Sequence, residues 1–388
     1  MTRLQKACGL STLPKPCDHF HLIGGTSTGG YVCRPFQIKA YITEHDFRSL
    51  MAIMLGRLRM STQEVIDEYE KLAKEVFRKK HRRFDGSFRE SILESCIKET
   101  VRAQNCGTRM LDFENGKPKG LAFVVAVRKG GDENTPALFR TYESYDEVRD
   151  CQIWEAARAT TAAPIFFKPA QFTLEDGTQT FIDGAVKWNN PSKLVLEEAK
   201  SHFGEQRHLG CLVSLGTGLR PNALDPHAKG HLGISYNIAE LKRMTSDFLT
   251  DPEPPHLDIQ SRLEGYPQCY FRFSLPCSEK LGRVRIHDYK KMPELRRETE
   301  DYLKKERVSM MIEDIVEALR RKRDYKVPLK AVCMVNTPCL FFYISNANWS
   351  VLILNRPHSS SIHICRSSGS CSGQQEADPD LHWPRCYP

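Results

Sequence analysis

Val65, Ile66, Tyr69, Leu72, Val76 and Phe77 recur at helical spacing, which gathers them on one face of an α-helix. Ser61 and Glu64 stand just ahead of that face at the spacing of a capping box, and Met60 and Val65 at that of a hydrophobic staple, so the pattern predicts a helix over 61–80. A second pattern is the unbroken apolar run. LAFVVAV at 121–127, bounded by Gly120 and by Lys129-Gly130-Gly131, reads as a strand buried on both faces. FHLIGG at 20–25, TFID at 180–183, LGCLVSLGTG at 209–218 and YFRFSL at 270–275 are shorter runs of the same kind, three of them closing on glycine. Helical segments fall at 153–163, stopping before Pro164, and from Asn190-Pro191 to Phe203, with Asn as cap and Pro in the first turn. Further helical patterns cover 235–250 and 294–323. Strands and helices alternate, which predicts a layered α/β sheet.

Beyond Lys330 the pattern fails. The last 58 residues hold five of the fourteen cysteines and six charged side chains, with serine clusters and scattered prolines in place of any period. We expect 331–388 to be a disordered tail outside the core, and 1–330 to be the folded domain. Ala331 to Asn355 carries no formal charge, but its asparagines and Pro338 make it a poor membrane span.

Composition narrows the class. The balance of 56 Lys and Arg against 48 Asp and Glu gives +8, which favours anionic surfaces without requiring them. No zinc-finger spacing, RNA-binding signature or basic arm is present, so nucleic acid is not an expected partner. The cysteines form no CxxC pair and read as reduced thiols, and residues 1–15 hold no apolar signal core, so an intracellular, cytoplasmic protein is expected. The basic runs at 78–83 and 320–323 suit peripheral contact with anionic lipid or, more simply, solvated helix ends.

Gly25-Thr26-Ser27-Thr28-Gly29 matches G-x-S-x-G, the pattern of a nucleophile elbow, directly after an apolar strand. Glycines there let the chain turn sharply and let a carbonyl approach the serine hydroxyl. A phosphate loop is the competitor, but Tyr31 stands after Gly29-Gly30 where GxxxxGK[ST] requires lysine. A serine needs a base, and thirteen histidines and many carboxylates are on offer. Asp183-Gly184-Ala185 follows a strand, so its carboxylate could emerge near the serine; an ordinary Asp-Gly turn is the alternative.

GGTSTGG (24–30), MAIMLGRLRMS (51–61), IWEAARATTAAPIFF (153–167), FIDGAVKWNNP (181–191) and VSLGTG (213–218) resemble, in order and character, the patatin-like phospholipases, particularly their fungal branch. The resemblance runs from about Cys17 to Tyr325. It implies a three-layer α/β/α sandwich with a central, mostly parallel sheet, and a Ser-Asp dyad without histidine. Ser27 maps onto the nucleophile and Asp183 onto the base, with Gly25, Thr26, Thr28, Gly29 and Gly30 as the elbow and Gly184 and Ala185 as the dyad turn. The implied activity is hydrolysis of fatty acyl esters of phospholipids or other acyl lipids through an acyl-enzyme. No metal or other cofactor is called for.

Three departures qualify it. The family's DGGGxRG oxyanion loop and the strand bearing it are missing from this sequence, and MTRLQKACGL resembles the end of the helix that follows that loop. Loss of even one oxyanion donor costs roughly 100- to 1,000-fold in turnover, so a catalytically impaired, lipid-binding remnant is the competing reading. The missing strand is expected to leave an unpaired edge beside the nucleophile strand. Residues 31–49 are an atypical insertion after the elbow, and His21 stands where the family commonly has Asp.

Overall fold

The computed structural model describes residues 1–26, 48–78, 81, 83, 87–112, 120–132, 134–144, 151–164, 166–174, 177–216, 253–276, 289–321, 327–333 and 348–354. Its helices, in chain order, are α1 (Thr2–Cys8), α2 (Pro16–His19), α3 (Arg48–Ala52, running into a π turn at Ile53–Arg57), α4 (Thr62–Val76), α5 (Glu90–Gln104), α6 (Ile153–Thr160), α7 (Ala185–Trp188) and α8 (Ser192–Phe203), followed by α9 (Glu253–Arg262), α10 (Met292–Lys304), α11 (Glu306–Arg321) and α12 (Leu329–Cys333). The strands are β1 (Leu22–Thr26), β2 (Leu121–Arg128), β3 (Pro136–Arg140), β4 (Ala170–Leu174), β5 (Gly177–Asp183), β6 (Leu209–Gly216), β7 (Tyr270–Phe273) and β8 (Asn348–Leu354).

All eight join one sheet in the order β4-β5-β2-β1-β8-β6-β7, with β3 also paired to β2. The apolar run of β2 is buried along seven of its eight residues, as a central strand covered on both faces must be. One face carries Ile23, Ala122, Val124 and Ala126 against α3, the π turn, α4, α5 and α6. The other carries Leu22, Phe123 and Val125 against α8, α9 and α12. Val213 shares a row with Val351 and Ile23, so the cluster of Cys211, Val213 and Phe271 under α11 extends the first face. Three layers result.

The pairing is mixed, in contrast to the mostly parallel sheet that the resemblance implies: β1–β2 and β6–β7 are parallel, and the other five pairings are antiparallel. Two chain reversals explain much of it. β4 and β5 are joined by two residues, a length that only an antiparallel hairpin allows, and β3 returns along β2 after seven.

Local signals hold well. Glu64 N–H donates to Ser61 Oγ (3.3 Å) and Ser61 N–H to Glu64 Oε2 (2.6 Å), completing the capping box of α4. Met60 and Val65 are both buried beside it. The helix stops at Val76, short of the expected 80, and Ile66 lies 40 % exposed, outside the buried stripe of Val65, Tyr69, Leu72, Ala73 and Val76. The span 294–323 is divided into α10 and α11 at Lys305, whose backbone is extended at φ −58°, ψ 135°. The helical pattern at 235–250 lies outside the described residues.

The tail is where sequence and structure part. Instead of standing apart, α12 buries Leu329 and Val332 against α8, and β8 occupies the edge of β1 that was expected to be unpaired. Leu22, Ile23 and Gly24 pair antiparallel with Leu352, Val351 and Ser350, and β6 pairs with β8 on its other side. The compact unit therefore runs from Met1 to Arg356, past the boundary expected at Lys330. An open edge inside a sheet covered by helices would strand backbone N–H and C=O groups, at about 1–3 kcal/mol each, and a seven-residue strand satisfies them. Among the described residues no helix is long and apolar enough to cross a membrane.

Two outcomes follow. Ser61→Ala should cost about 1 kcal/mol in urea unfolding through loss of the cap. Val351 is paired on both sides, with Ile23 and with Val213. Val351→Pro removes an interior N–H and should lower stability by about 1–3 kcal/mol. Equal unfolding midpoints for that variant and the parent chain would argue against β8 in the sheet.

Candidate active site

The site is built on the edges of β2. Val125 pairs with Thr26 of β1 and with Leu138 of β3, so these two strands lie on opposite edges. Ala126 pairs with Ala137 of β3 and with Asp183 of β5. Hence β5 lies on the same edge as β1. The two strands run toward each other along it, β1 parallel and β5 antiparallel to β2, and they end one residue step apart, about 3.4 Å along the strand. Thr26 closes one and Asp183 the other.

Side-chain faces follow from the pairing. Asp183 shares a row with Ala126, on the face covered by α6, while Thr26 shares one with Val125, on the face covered by α8. Asp183 is fully buried, and its Oδ1 accepts the Ala185 N–H at 2.8 Å, an Asx turn that fixes the carboxylate over the start of α7. Its own N–H donates to the Ala162 carbonyl at 3.1 Å. From the α6 side, Thr160 Oγ1 donates to the Val125 carbonyl at 2.6 Å.

Gly184 locks the junction from the opposite side. A Cβ there would lie 2.4 Å from the Val125 carbonyl oxygen and 2.8 Å from Thr26 Oγ1. Its backbone angles, φ −64° and ψ −23°, are open to any residue, so space rather than conformation demands glycine. Residues 26 and 184 are thus in contact although 158 positions separate them in the chain. Among the described residues the buried Thr26 Oγ1 has no hydrogen-bond partner. Gly24, two residues earlier, is required by the same logic of close approach: a Cβ would meet Val195 Cγ2 at 2.5 Å, where α8 crosses β1.

Of the residues singled out from the sequence, Gly25, Thr26, Asp183, Gly184 and Ala185 are brought together here. Ser27, Thr28, Gly29 and Gly30 lie outside the described residues, as do 31–47 of the insertion. His21 precedes β1 at the end remote from Thr26, about 17 Å away over five residues of strand, and its ring packs edge-on to Phe203. It has no place in the site. Of the basic run, Arg78 pairs with Glu75 (2.9 Å) and Arg83 with Glu90 (2.7 Å). Among the described cysteines, burial raises the thiol of Cys211 and pushes those of Cys269 and Cys333 up to about 11, so these three stay protonated. Among the described residues no group of three or more His, Cys, Asp or Glu side chains could hold a metal ion.

A model of the patatin-like phospholipases matches residues 6–196, a span that holds β1, β2, β5 and the whole junction. Over these residues the chain is similar to the patatin-like phospholipase family. It is similar to calcium-independent phospholipase A2-gamma of Homo sapiens, 29% identical over 266 residues that make up 61% of this chain and 30% of that protein. Patatin-like phospholipase 1 of Plasmodium falciparum is 26% identical over 324 residues, 77% of this chain and 43% of the relative. The 85/88 kDa calcium-independent phospholipase A2 of Rattus norvegicus is 27% identical over 292 residues, 66% of this chain and 30% of the relative. The chain spans less than half the length of each of these relatives.

Sequence reading missed two participants, Thr160 and Ala162. Both lie in the quoted ATTAA segment of this patatin-like domain, but only the hydroxyls hinted at a polar task inside a run of alanines. Gly184→Ala should destabilise the fold by about 1–3 kcal/mol through overpacking, read as a lower urea midpoint. Thr26→Ala should not rescue it, because the nearer obstacle is a backbone oxygen.

Proposed function

We propose that the protein is a serine-dependent lipid acyl hydrolase, of phospholipase A or esterase type, with Ser27 as nucleophile and Asp183 as its base. The observation that carries this reading is the end-to-end meeting of β1 and β5, whose final residues are the immediate neighbour of Ser27 and Asp183 itself. The relatives, named as phospholipases, support acyl ester chemistry and a phospholipid substrate.

In this reading Ser27 Oγ attacks the ester carbonyl carbon as its proton passes to the Asp183 carboxylate. The tetrahedral oxyanion collapses, the C–O bond to the leaving alcohol breaks, and Asp183 returns the proton to that oxygen. Water then attacks the acyl-enzyme with Asp183 again taking the proton, and a fatty acid leaves while Ser27 regains its hydrogen. Gly25, Thr26, Thr28, Gly29 and Gly30 form the elbow, and the backbone N–H after Ser27 is a donor for the oxyanion. The Ala185 N–H donates to Asp183 Oδ1 and so holds the carboxylate in place at the junction.

Hydrolysis of p-nitrophenyl acyl esters by the purified chain, with Ser27→Ala and Asp183→Asn beside it, tests the assignment. Each substitution should reduce kcat by about 1,000-fold or more. Equal rates for the parent and both variants would leave the impaired, lipid-binding remnant as the better account.

A further inference from the structure

The short turn that ends α6 touches both strands of the junction, and its role is absorbed by neither the fold nor the dyad. Thr160 Oγ1 donates to the carbonyl of Val125 on β2 (2.6 Å), and two residues later the carbonyl of Ala162 accepts the N–H of Asp183 on β5 (3.1 Å). One turn of chain thus grips the two strands whose relative register sets where the Asp183 carboxylate lies. Val125 is also the partner of Thr26, so the same bond fixes β2 against the end of the nucleophile strand.

The rest of the helix is built to bring that turn close. Ile153, Ala156, Ala157, Ala159, Thr160, Thr161, Ala162 and Ala163 are each at most 1 % exposed, and the alanines let the helix backbone approach β2 without displacing side chains. The chain cannot continue as regular helix through Pro164, so the carbonyl of Ala162 is released from intrahelical bonding and is available to β5. Thr161 supplies an internal comparison: it is as buried as Thr160, but its hydroxyl turns back to the carbonyl of Ala157 in its own helix (2.7 Å).

We propose that Thr160 is a positioning residue for the reaction, its hydroxyl holding β2 so that Asp183 stands at the correct height beside the end of β1. This rests on the hydrolase reading above. A misplacement of a reacting group by about 1 Å costs on the order of 100-fold in rate, so a single buried bond at this junction has leverage on turnover without touching substrate.

Three variants of the full chain test it: Thr160→Val, which keeps shape and removes the donor, Thr160→Ser, which keeps the donor, and Thr161→Val. Each is compared at a temperature where its circular dichroism matches the parent. Ester hydrolysis, the rate of Ser27 labelling by a fluorophosphonate, and amide exchange at 183–185 are measured. Thr160→Val should lower kcat and labelling roughly 10- to 100-fold with KM within about twofold, and speed exchange at 183–185. Thr160→Ser and Thr161→Val should stay within about threefold of the parent. Parental rates in Thr160→Val, or an equal loss in Thr161→Val, would overturn the proposal by reducing Thr160 to ordinary packing. A parent chain that neither hydrolyses ester nor labels at Ser27 would count against the hydrolase reading and with it the catalytic role of Thr160. Faster exchange confined to Thr160→Val would then still establish the clamp.

Discussion

One edge of one strand organises this molecule. β2 accepts β1 along its first half and β5 along the remainder, both on the side away from β3. Because these partners approach from opposite directions, each must stop where the other begins, and the chain must leave the sheet at both ends. Such a point frees a side chain from the ladder while its backbone stays anchored. Asp183 is held there by its own N–H, by the Asx turn to Ala185 and by the pairing with Ala126.

Close packing on both faces keeps the junction in place. Gly184 presses on the Val125 carbonyl from the α8 side and Thr160 reaches it from the α6 side. The first contact leaves no room for a side chain at 184. Burying a carboxylate is costly, and the Ala185 N–H donated to Asp183 Oδ1 offsets part of that cost while it keeps the group from rotating away. Rigidity at the junction and a fixed carboxylate are therefore one property.

At the far side of β1, β8 joins the half of the sheet that carries the site to the half formed by β6 and β7. Among the described residues no other strand pairing links the two halves. The position of β1 is consequently bracketed by β2 on one edge and by β8 on the other, so a segment near residue 350 bears on a site assembled from residues 25–26 and 183–185. Strand pairing transmits this constraint through backbone hydrogen bonds rather than through any side chain of the site.

The amino-acid sequence by itself determined the local elements and the family. Periodicity and capping residues specified α4, the continuous apolar run specified β2, and the spaced motifs identified the patatin-like span, because each of these depends on residues a few positions apart. It also marked Asp183-Gly184 as either a base or a turn, and the dipeptide is in fact part of both a turn and the junction. Tertiary structure alone decided that β5 comes back along the edge of β1, that Gly184 is glycine for want of space, that Thr160 bonds to a strand while Thr161 bonds to its own helix, and that β8 belongs to the sheet. Those outcomes turn on pairings between residues tens to hundreds of positions apart, and strand register at that range is set by what the packed faces and unpaired edges permit, which no local pattern encodes.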